Sequence, residues 1–402
     1  MPTSTVELSG HIIDSMMLPR IWDAIMDLGG SFRVEEFRVG QSQDEPSYTR
    51  IAVTHDTEDG LRAIIVACQQ QGAVQVQAFP ARTEPAPRDG VFPDAFYSTS
   101  NQPTQVHAGD AWLDVEDIEM DCGIVVADGR ARCVAVSDVR AGQAVVVGHD
   151  GIRVRPLERS RSREIFGFMT SQVSSEKPKH LVIRELAQTM REIHAGGGRI
   201  AFVGGPAIIH TGAGVYLSQL IRDGWIDVLF GGNAIAAHDI ESQLFGTSLG
   251  IDLRNGLPIE SGHEHHIRAI NRIRALGGVA AAVESGALRA GVMYEATRRG
   301  IDVVLGGSVR DDGPLPEVVT DMVEAQRRMR AALVGVELCI MCATMLHAIA
   351  TGNLLAAAVK TVCVDINPAV VTKLADRGSS QTLGLVTDVE SFLRELSECL
   401  VA

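Results

Sequence analysis

The second half of the chain alternates short apolar runs with segments of helical spacing. Beyond Lys179, runs rich in valine, isoleucine and leucine are separated by stretches in which apolar residues recur every three or four positions. Strands that alternate with helices need crossover connections, so this pattern predicts a mainly parallel sheet covered by helices on both faces. The predicted strands cover residues 200–203, 226–230, 301–305, 338–342, 361–366 and 382–386, and the predicted helices include 215–222, 266–275, 318–332 and 389–400.

The first half of the chain has a different pattern. Between residues 5 and 80, alternation and helical spacing follow each other in the order β-α-β-β-α-β, which predicts a ferredoxin-like α+β plait. Residues 82–94 are rich in proline and acidic residues and are predicted to form a linker. Between residues 112 and 154, short β-type runs separated by Asp-Gly pairs predict a small antiparallel β-barrel.

These patterns together predict an α/β protein of three domains. We expect a ferredoxin-like α+β domain at residues 1–94, a small β-barrel domain at 95–160, and a Rossmann-like domain with a parallel sheet at 161–402. Ligands of such sheets bind at the carboxyl ends of the strands, so the turns that follow the strands carry the candidate chemistry.

Four of the predicted parallel strands end in polar turns. The turns are GGPAIIHTG at 204–212, GGNA at 231–234 followed by His238 and Asp239, GGSVRDDGP at 306–314, and TMLH at 344–347. Each places small residues or backbone N–H groups beside the start of a helix, an arrangement that binds phosphate. Because the carboxyl ends of parallel strands meet at one edge of the sheet, the four turns predict a single binding site.

The segment from Thr344 to Asp365 has the spacing of a dinucleotide-binding βαβ unit. A strand, a polar turn, a helix-length segment and a second strand ending in an acid follow one another, with the acid about 20 residues after the turn. The usual glycines are missing from this turn. At Asp365 a carboxylate could bind both ribose hydroxyls and so favour NAD over NADP, or it could cap the next helix, a role that Asn367 fills equally well. Asp388, with Thr387, could lie near the adenine or cap the last helix.

Two further motifs invite a metal or redox interpretation. The histidines of GHEHH at 262–266 stand at i, i+2 and i+3 rather than at the i, i+4 spacing that turns two histidines toward one ion, so no metal site is predicted. Cys339 and Cys342 have the spacing of a redox pair but lie inside an apolar run that is predicted to be a strand. The chain's 7 cysteines are therefore expected to be buried and reduced.

Composition and charge narrow the class of protein. The net charge of -14 argues against nucleic acid and anionic membranes as partners. No segment reaches roughly 18 uncharged apolar residues and no signal sequence is recognisable, so we expect a cytoplasmic protein without a membrane partner. The accessory domains favour a homo-oligomer.

Several segments, taken in order along the chain, resemble one enzyme family. They are LSGHIIDS at 8–15, FYSTSN at 96–101, EMDC at 119–122, SSEKP at 174–178, GGNA at 231–234, MLHAIATGNLL at 345–355 and VCVDINPAVVTKLADRGS at 362–379. These segments are similar to the archaeal-type ornithine cyclodeaminases, known also as the LOR/SDH bifunctional enzyme conserved region. They are also similar to the C-terminal half of the cyanobacterial bifunctional arginine dihydrolase/ornithine cyclodeaminases.

The resemblance implies an activity, a cofactor and a set of cofactor contacts. The implied reaction converts L-ornithine to L-proline and ammonia, with NAD bound by the Rossmann-like domain and recycled within each turnover. The resemblance implies cofactor contacts at Asn233, Ala234, Asp312, Thr344, Met345, Leu346, His347, Asp365, Thr387 and Asp388.

The implied reaction needs groups that bind the substrate carboxylate and move protons between two nitrogens. Arg310 is the candidate for the carboxylate, because its planar guanidinium suits one, although an ion pair with Asp311 or Glu317 is the alternative. Asp311 could bind the substrate ammonium or act as the base. His238, Asp239 and His263 are further candidates for proton transfer.

Two other functions remain open from the sequence. An NAD-dependent amino-acid or saccharopine-type dehydrogenase would release NADH in proportion to substrate. A non-catalytic NAD-binding regulator would bind NAD and turn over no basic amino acid.

Overall fold

The chain forms two compact units. The computed structural model describes residues 1–13, 16–41, 45–76, 80–109, 111–155, 179–252, 257, 262–311, 313–376 and 382–401. The first unit comprises Met1–Ser162 with Ala356–Ala358, and the second comprises Arg163–Leu355 with Val359–Ala402. Among the described residues, no helix combines the length and apolar composition needed to cross a membrane.

The first unit begins with a four-stranded antiparallel sheet. Its elements are β1 (Thr3–Gly10), α1 (Met17–Asp27), β2 (Ser31–Arg38), β3 (Ser47–Thr54), α2 (Glu58–Gln70) and β4 (Val74–Gln75), and its strand order is β2-β3-β1-β4. Alternate residues of β1 and β3, such as Val6 and Ile51, pack against Ile21 and Ile64 of the helices. The hydroxyl of Thr57 accepts a hydrogen bond from the Gly60 amide at 3.1 Å and so starts α2.

The second sheet of this unit has seven strands. They are β5 (Arg82–Pro85), β6 (Thr104–Ala108), β7 (Ala111–Glu116), β8 (Gly123–Ala127), β9 (Arg130–Val134), β10 (Ala144–Val147) and β11 (Ile152–Val154), in the order β11-β6-β7-β9-β8-β10-β5. Strands β7 and β9 are parallel and the other pairs are antiparallel.

The prediction of a linker at residues 82–94 is wrong for its first residues. Strand β5 pairs antiparallel with β10, with Arg82 opposite Val147 and Pro85 opposite Ala144. All four side chains of β5 are exposed, so the strand has no apolar face and no alternation that could show in the sequence. Its backbone partner, the apolar strand β10, holds it in the sheet.

The second unit is built on a seven-stranded parallel sheet. Its elements up to the sixth helix of the unit are α3 (Lys179–Ala195), β12 (Arg199–Gly204), α4 (Ala207–His210), α5 (Gly214–Arg222), β13 (Val228–Gly232), α6 (Asn233–Phe245), β14 (Thr247–Ser248), β15 (Ile251–Asp252), α7 (His265–Leu276) and α8 (Val279–Glu284). The remainder are α9 (Val292–Arg299), β16 (Asp302–Gly306), β17 (Val318–Val319), α10 (Met322–Ala332), β18 (Val336–Cys342), α11 (Leu346–Leu354), β19 (Lys360–Asp365), α12 (Pro368–Asp376), β20 (Thr382–Val386) and α13 (Val389–Val401). The strand order is β17-β16-β13-β12-β18-β19-β20.

All six predicted parallel strands are present, and one predicted helix is too long. The helix predicted at 318–332 starts only at Met322, where the Asp321 carboxylate caps it, because Val318 and Val319 form β17 at the edge of the sheet. The strands are buried on both faces, which is why they read as continuous apolar runs. Ile200 and Phe202 pack on one face, and Ala201 and Val203 pack on the other.

Cys339 and Cys342 lie on opposite faces of β18, because three positions along a strand reverse the side-chain direction. Both are fully buried, and burial raises the pKa of each thiol. The described cysteines are all free, and this pair belongs to the core on the two faces of the sheet.

Candidate functional site

The order in which the chain adds strands to the parallel sheet reverses between β12 and β18. From β12 the chain continues to β13 on one side, and from β18 it continues to β19 on the other, so the turns after β12 and β18 meet at a topological switch point. Gly205 and Ala343 touch there, since a Cβ on Gly205 would lie only 1.8 Å from the Ala343 carbonyl oxygen. Only glycine allows this approach. Ala343 itself has a left-handed backbone, with φ of 52°.

His347 lies across the ends of two neighbouring strands. A Cβ on Gly232 would be 3.1 Å from His347 Cε1, and a Cβ on Gly306 would be 3.4 Å from His347 Nε2. The glycines at the ends of β13 and β16 therefore make room for the imidazole ring. Burial lowers the pKa of His347, against the opposing charge of Asp311, so the ring is neutral at pH 7.

Asp311 and Arg310 follow β16 in the same turn. The Asp311 Oδ2 atom is buried and has no hydrogen-bond partner among the residues that the structure describes. Arg310 is exposed, and among the described residues its guanidinium forms no ion pair with Asp311 or Glu317. Glu317 instead accepts the amide of Val279 at 2.5 Å, at the start of α8. Asp312, a predicted cofactor contact, lies outside the described residues.

Asn233 and Ala234 begin helix α6 directly after β13. The Asn233 Oδ1 atom accepts a hydrogen bond from the Leu315 amide at 3.0 Å, and the side chain is buried. Asn233 therefore fastens the start of α6 to the segment after β16. Its predicted contact with the cofactor, like that of Ala234, stays a prediction.

The turn after β18 leads into α11. Thr344 and Met345 are half-buried, whereas the Leu346 side chain is 78% exposed at the first position of the helix. This exposed apolar surface at a helix start, beside the half-buried His347, can pack against a flat ring system.

Asp365 does not cap the helix that follows it. Asn367 takes that role, because its Oδ1 atom accepts the Ala369 amide at 3.0 Å at the start of α12. Asp365 Oδ1 accepts the Asn367 amide at 2.8 Å, which orients the carboxylate and leaves Oδ2 available to a ligand. The carboxylate is half-buried at the end of β19.

The capping alternative is observed at Asp388. Its Oδ1 atom accepts the Ser391 amide at 3.0 Å, at the start of α13. The hydroxyl of Thr387 accepts a hydrogen bond from the Lys179 ammonium at 3.3 Å. Both side chains are thus engaged with their own unit, and their predicted contacts with adenine are not tested.

Asp239 has a structural role in this unit, and its predicted part in proton transfer stays a prediction. Its two carboxylate oxygens accept the amides of Val292 and Met293, at 2.9 and 2.8 Å, and so cap helix α9. Burial raises the pKa of this carboxyl to about 6, although the two backbone hydrogen bonds oppose the shift. Both oxygens are thus engaged with the backbone of another helix, which fixes the orientation of the carboxylate.

His238 belongs to a buried network that the sequence showed only in part. Its Nδ1 atom lies 2.8 Å from Glu241 Oε2, and the Thr247 hydroxyl donates to Glu241 Oε1 at 2.9 Å. The same hydroxyl lies 2.8 Å from His265 Nδ1. His263, which the sequence suggested for proton transfer, stands two positions before His265, but its side chain lies outside the described residues.

His210 completes this network from the turn after β12. Its Nδ1 atom lies 2.6 Å from the Ser248 hydroxyl, and its ring centre is 4.8 Å from that of His238. Burial, reinforced by His238, lowers the pKa of His210 to about 4. One signal for this network is present in the sequence, since Glu241 stands three positions after His238 and shares its face of helix α6. Among the described residues, no three His, Cys, Asp or Glu side chains are arranged to hold a metal ion.

The whole chain matches known proteins. Residues 184–396 match the family described as arginine dihydrolase ArgZ-like, C-terminal, Rossmann fold; residues 103–183 match the first region of the same C-terminal part; and residues 3–102 match the LOR/SDH bifunctional enzyme conserved region. An ornithine cyclodeaminase of Methanopyrus kandleri is 53% identical over 97% of this chain and 95% of its own.

Two solved structures of cyanobacterial type extend the likeness. The apo structure of the arginine dihydrolase ArgZ has a TM-score of 0.85 and 37% identity, and covers 100% of this chain with 58% of its own. The ternary complex of AgrE with ornithine and NAD+ has a TM-score of 0.55 and 42% identity, and covers 100% of this chain with 57% of its own. The chain therefore belongs to the family of the archaeal ornithine cyclodeaminases and of the C-terminal regions of ArgZ and AgrE.

Proposed function

We propose that the protein is an ornithine cyclodeaminase that converts L-ornithine to L-proline and ammonia, with NAD as its recycled cofactor. The observation that carries the proposal is the carboxyl edge of the second unit. There an Asp365 oxygen, the neutral ring of His347 and the Asp311 oxygen that has no partner among the described residues follow β19, β18 and β16 of one parallel sheet. Relatives of nearly full length are named ornithine cyclodeaminase, and AgrE has been crystallised with both ornithine and NAD+.

The residues present fit a nicotinamide dinucleotide. Asp365 ends β19 with one oxygen oriented by Asn367 and the other available, as recognition of the ribose hydroxyls requires. The turn from Thr344 to His347 then provides the start of α11 for a phosphate or a ring. When bound, NAD supplies a hydride acceptor and a hydride donor, which explains why a lyase would keep a redox cofactor.

The protein's own residues would bind the substrate and move its protons. Arg310 presents an exposed planar guanidinium to the α-carboxylate. The buried Asp311 Oδ2 is an acceptor for a substrate ammonium group, which would satisfy an oxygen that otherwise lacks a partner. His347 is neutral, so it adds no positive charge that would repel the diamine substrate.

The finer architecture is part of the same proposal. The strand order β2-β3-β1-β4 supports a ferredoxin-like plait, and closure of the seven-stranded sheet would make the small barrel. We infer that the protein is a cytoplasmic homo-oligomer and that these accessory parts contribute to its assembly.

The decisive experiment follows a labelled hydrogen. Purified protein is incubated with NAD and L-ornithine that carries deuterium at Cα, and the product is analysed by mass spectrometry. Internal return of the hydride predicts proline that retains the deuterium, with no net rise in absorbance at 340 nm. Stoichiometric formation of NADH would instead indicate a dehydrogenase. Absence of proline while NAD is bound would overturn the proposal.

A further inference from the structure

The connection from β13 to β16 contains more structure than a crossover needs. Parallel neighbours require one intervening helix, and α9 supplies it, since Val292 and Ala296 pack into the core on the face of the sheet. Helices α6, α7 and α8 form a separate apolar cluster that includes Ile240, Ala269 and Ala282. The added segment begins at the carboxyl end of β13 and carries the buried polar network of His238 and Glu241.

Glu241 is the centre of this network. Its side chain is fully buried, and its two oxygens receive three hydrogen-bond partners. Oε1 accepts from the Thr247 hydroxyl and from the Gly250 amide, at 2.9 and 3.3 Å, and Oε2 faces His238 Nδ1. Burial raises the pKa of Glu241, but these hydrogen bonds outweigh burial and hold the pKa below its usual value. Glu241 is therefore a carboxylate at neutral pH.

The carboxylate fixes the tautomer of His238. An ionised carboxylate only accepts hydrogen bonds, so the proton of the neutral His238 ring must be on Nδ1. The second ring nitrogen, Nε2, then carries a lone pair. The Thr247 hydroxyl has one proton and donates it to Glu241. The hydrogen bond between Thr247 and His265 must therefore be donated by His265 Nδ1 and accepted by the Thr247 oxygen. Enzymes orient a histidine base in the same way, with a carboxylate that accepts a hydrogen bond from Nδ1 and leaves Nε2 to take the proton.

The surroundings place His238 beside the carboxyl edge. Its side chain is about one-tenth exposed, and the ring of His210, from the turn after β12, lies against it at 4.8 Å. The ring centre of His266, from α7, lies 6.1 Å from that of His238. Two histidines that follow the neighbouring strands β12 and β13 thus meet, one from the turn after β12 and one from α6.

We propose that Glu241 is a positioning residue that holds His238 as the Nδ1–H tautomer, and that His238 Nε2 is the base that deprotonates the α-ammonium group of the substrate. The proposal rests on the cyclodeaminase function proposed above. In the step, one N–H bond of the ammonium breaks, its electron pair stays on the amine, and the proton forms a new bond to Nε2. The resulting imidazolium is stabilised by the Glu241 carboxylate. The neutral amine can then support loss of hydride from Cα.

The substitution Glu241→Gln tests this arrangement through one fixed donor. The Gly250 amide can only donate, so it orients the new side-chain oxygen toward the Oε1 position. The amide NH₂ then faces His238 Nδ1 and forces the ring proton onto Nε2, which removes the base. We expect kcat to fall by about 10³- to 10⁴-fold, as when a histidine base is held in the wrong tautomer. KM and NAD affinity should change by no more than about threefold.

Nitrogen NMR of histidine-labelled protein gives a readout that needs no substrate. The wild-type spectrum should show His238 protonated at Nδ1, and the Glu241→Gln spectrum should show it protonated at Nε2. A wild-type ring protonated at Nε2 would overturn the proposal even if the variant failed to fold. If the wild type made no proline, the proposed function would fail, while the spectra would still decide whether Glu241 sets the tautomer.

Glu295→Gln is the matched control. Glu295 is another buried glutamate of the same unit, paired with Arg222 at 2.6 Å, and it lies outside the network. This variant should keep kcat within about twofold and leave the His238 spectrum unchanged. If Glu241→Gln retains kcat within about threefold with its tautomer switched, His238 is not the base and the proposal is overturned.

Discussion

The contacts of single side chains at the edge of the parallel sheet cannot be inferred from their immediate neighbours in sequence. The turn at 344–347 lacks the glycines of a dinucleotide motif, yet His347 touches the glycines that end β13 and β16. Asp365 is freed for a ligand because Asn367, two positions later, caps α12. At this scale, the identity of a functional residue depends on which neighbour has taken the structural role.

Asp365→Ala should weaken NAD binding by about 10- to 100-fold, because it removes hydrogen bonds between a charged group and the ribose that together contribute about 1.4–2.7 kcal/mol. Isothermal titration of the purified protein measures the change. Asn367→Ala is the control: it should lower stability by about 1 kcal/mol through loss of the helix cap and leave NAD affinity nearly unchanged. Equal effects of the two substitutions would show that Asp365 acts only on the helix.

His210 should make the protein less stable in mild acid. Its pKa is lowered to about 4 in the folded protein, mainly by burial, from a usual value of 6.5. The unfolded chain therefore binds the proton first, and the free energy of unfolding falls as the pH drops from about 6.5 toward 4. His210→Gln should lose less stability than the wild type over this range, measured by urea unfolding at several pH values. Parallel curves for both proteins would contradict the prediction.

Helix α6 shows how one element combines structural and chemical tasks. Asn233 fastens its start, Asp239 caps α9 and Glu241 holds His238, all from the same nearly buried helix. A helix with polar residues on so many sides lacks a clear apolar stripe, so its pattern does not separate these tasks. Strand β5 is the opposite case, since its exposed side chains contain no pattern at all.

Asp239 should give a pH dependence of opposite sign to that of His210. Burial raises its pKa to about 6 from 3.8, so the folded protein binds the proton first. Its contribution to stability is fully present below pH 3.8 and is lost as the pH rises through about 6. Relative to the wild type, Asp239→Asn should therefore be least stable at low pH. Urea unfolding across pH 4–7 measures this, and a difference independent of pH would contradict it.

At the scale of the whole molecule, the candidate site residues are not shared equally between the two compact units. The second unit alone contains the switch point, Asp365, His347 and the Glu241 network. The first unit contributes two sheets and takes in Ala356–Ala358, whose central amide donates to the Asn101 carbonyl at 2.9 Å. A segment between α11 and β19 therefore belongs structurally to the first unit.

NAD should stabilise the folded chain by mass action. A ligand that binds one site of the folded protein at 100 times its Kd adds about 2.7 kcal/mol to the free energy of unfolding. At the same NAD concentration, Asp365→Ala should gain about 1.4 kcal/mol or less, because its Kd is expected to be at least tenfold higher. Urea unfolding followed by fluorescence measures both values. Wild-type protein that gains nothing from NAD would contradict the cofactor assignment.

The elements whose burial repeats along the chain can be predicted from the sequence. All six predicted parallel strands are present, because a strand buried on both faces must be apolar at every position. The family was also recognisable from local segments. Asp365 and His347 could be nominated in this way, but the partners that free or bury them could not.

Tertiary structure alone decided which distant groups meet. Asp239 reaches amides 53 and 54 residues away, and His210 meets Ser248 38 residues away, so neither pairing leaves a periodic signal. The order of the strands brought the turns after β12 and β18 together, and backbone pairing alone held the exposed strand β5. Periodicity reports whether a side chain is buried, whereas function depends on what it is buried against, and only the folded chain fixes that.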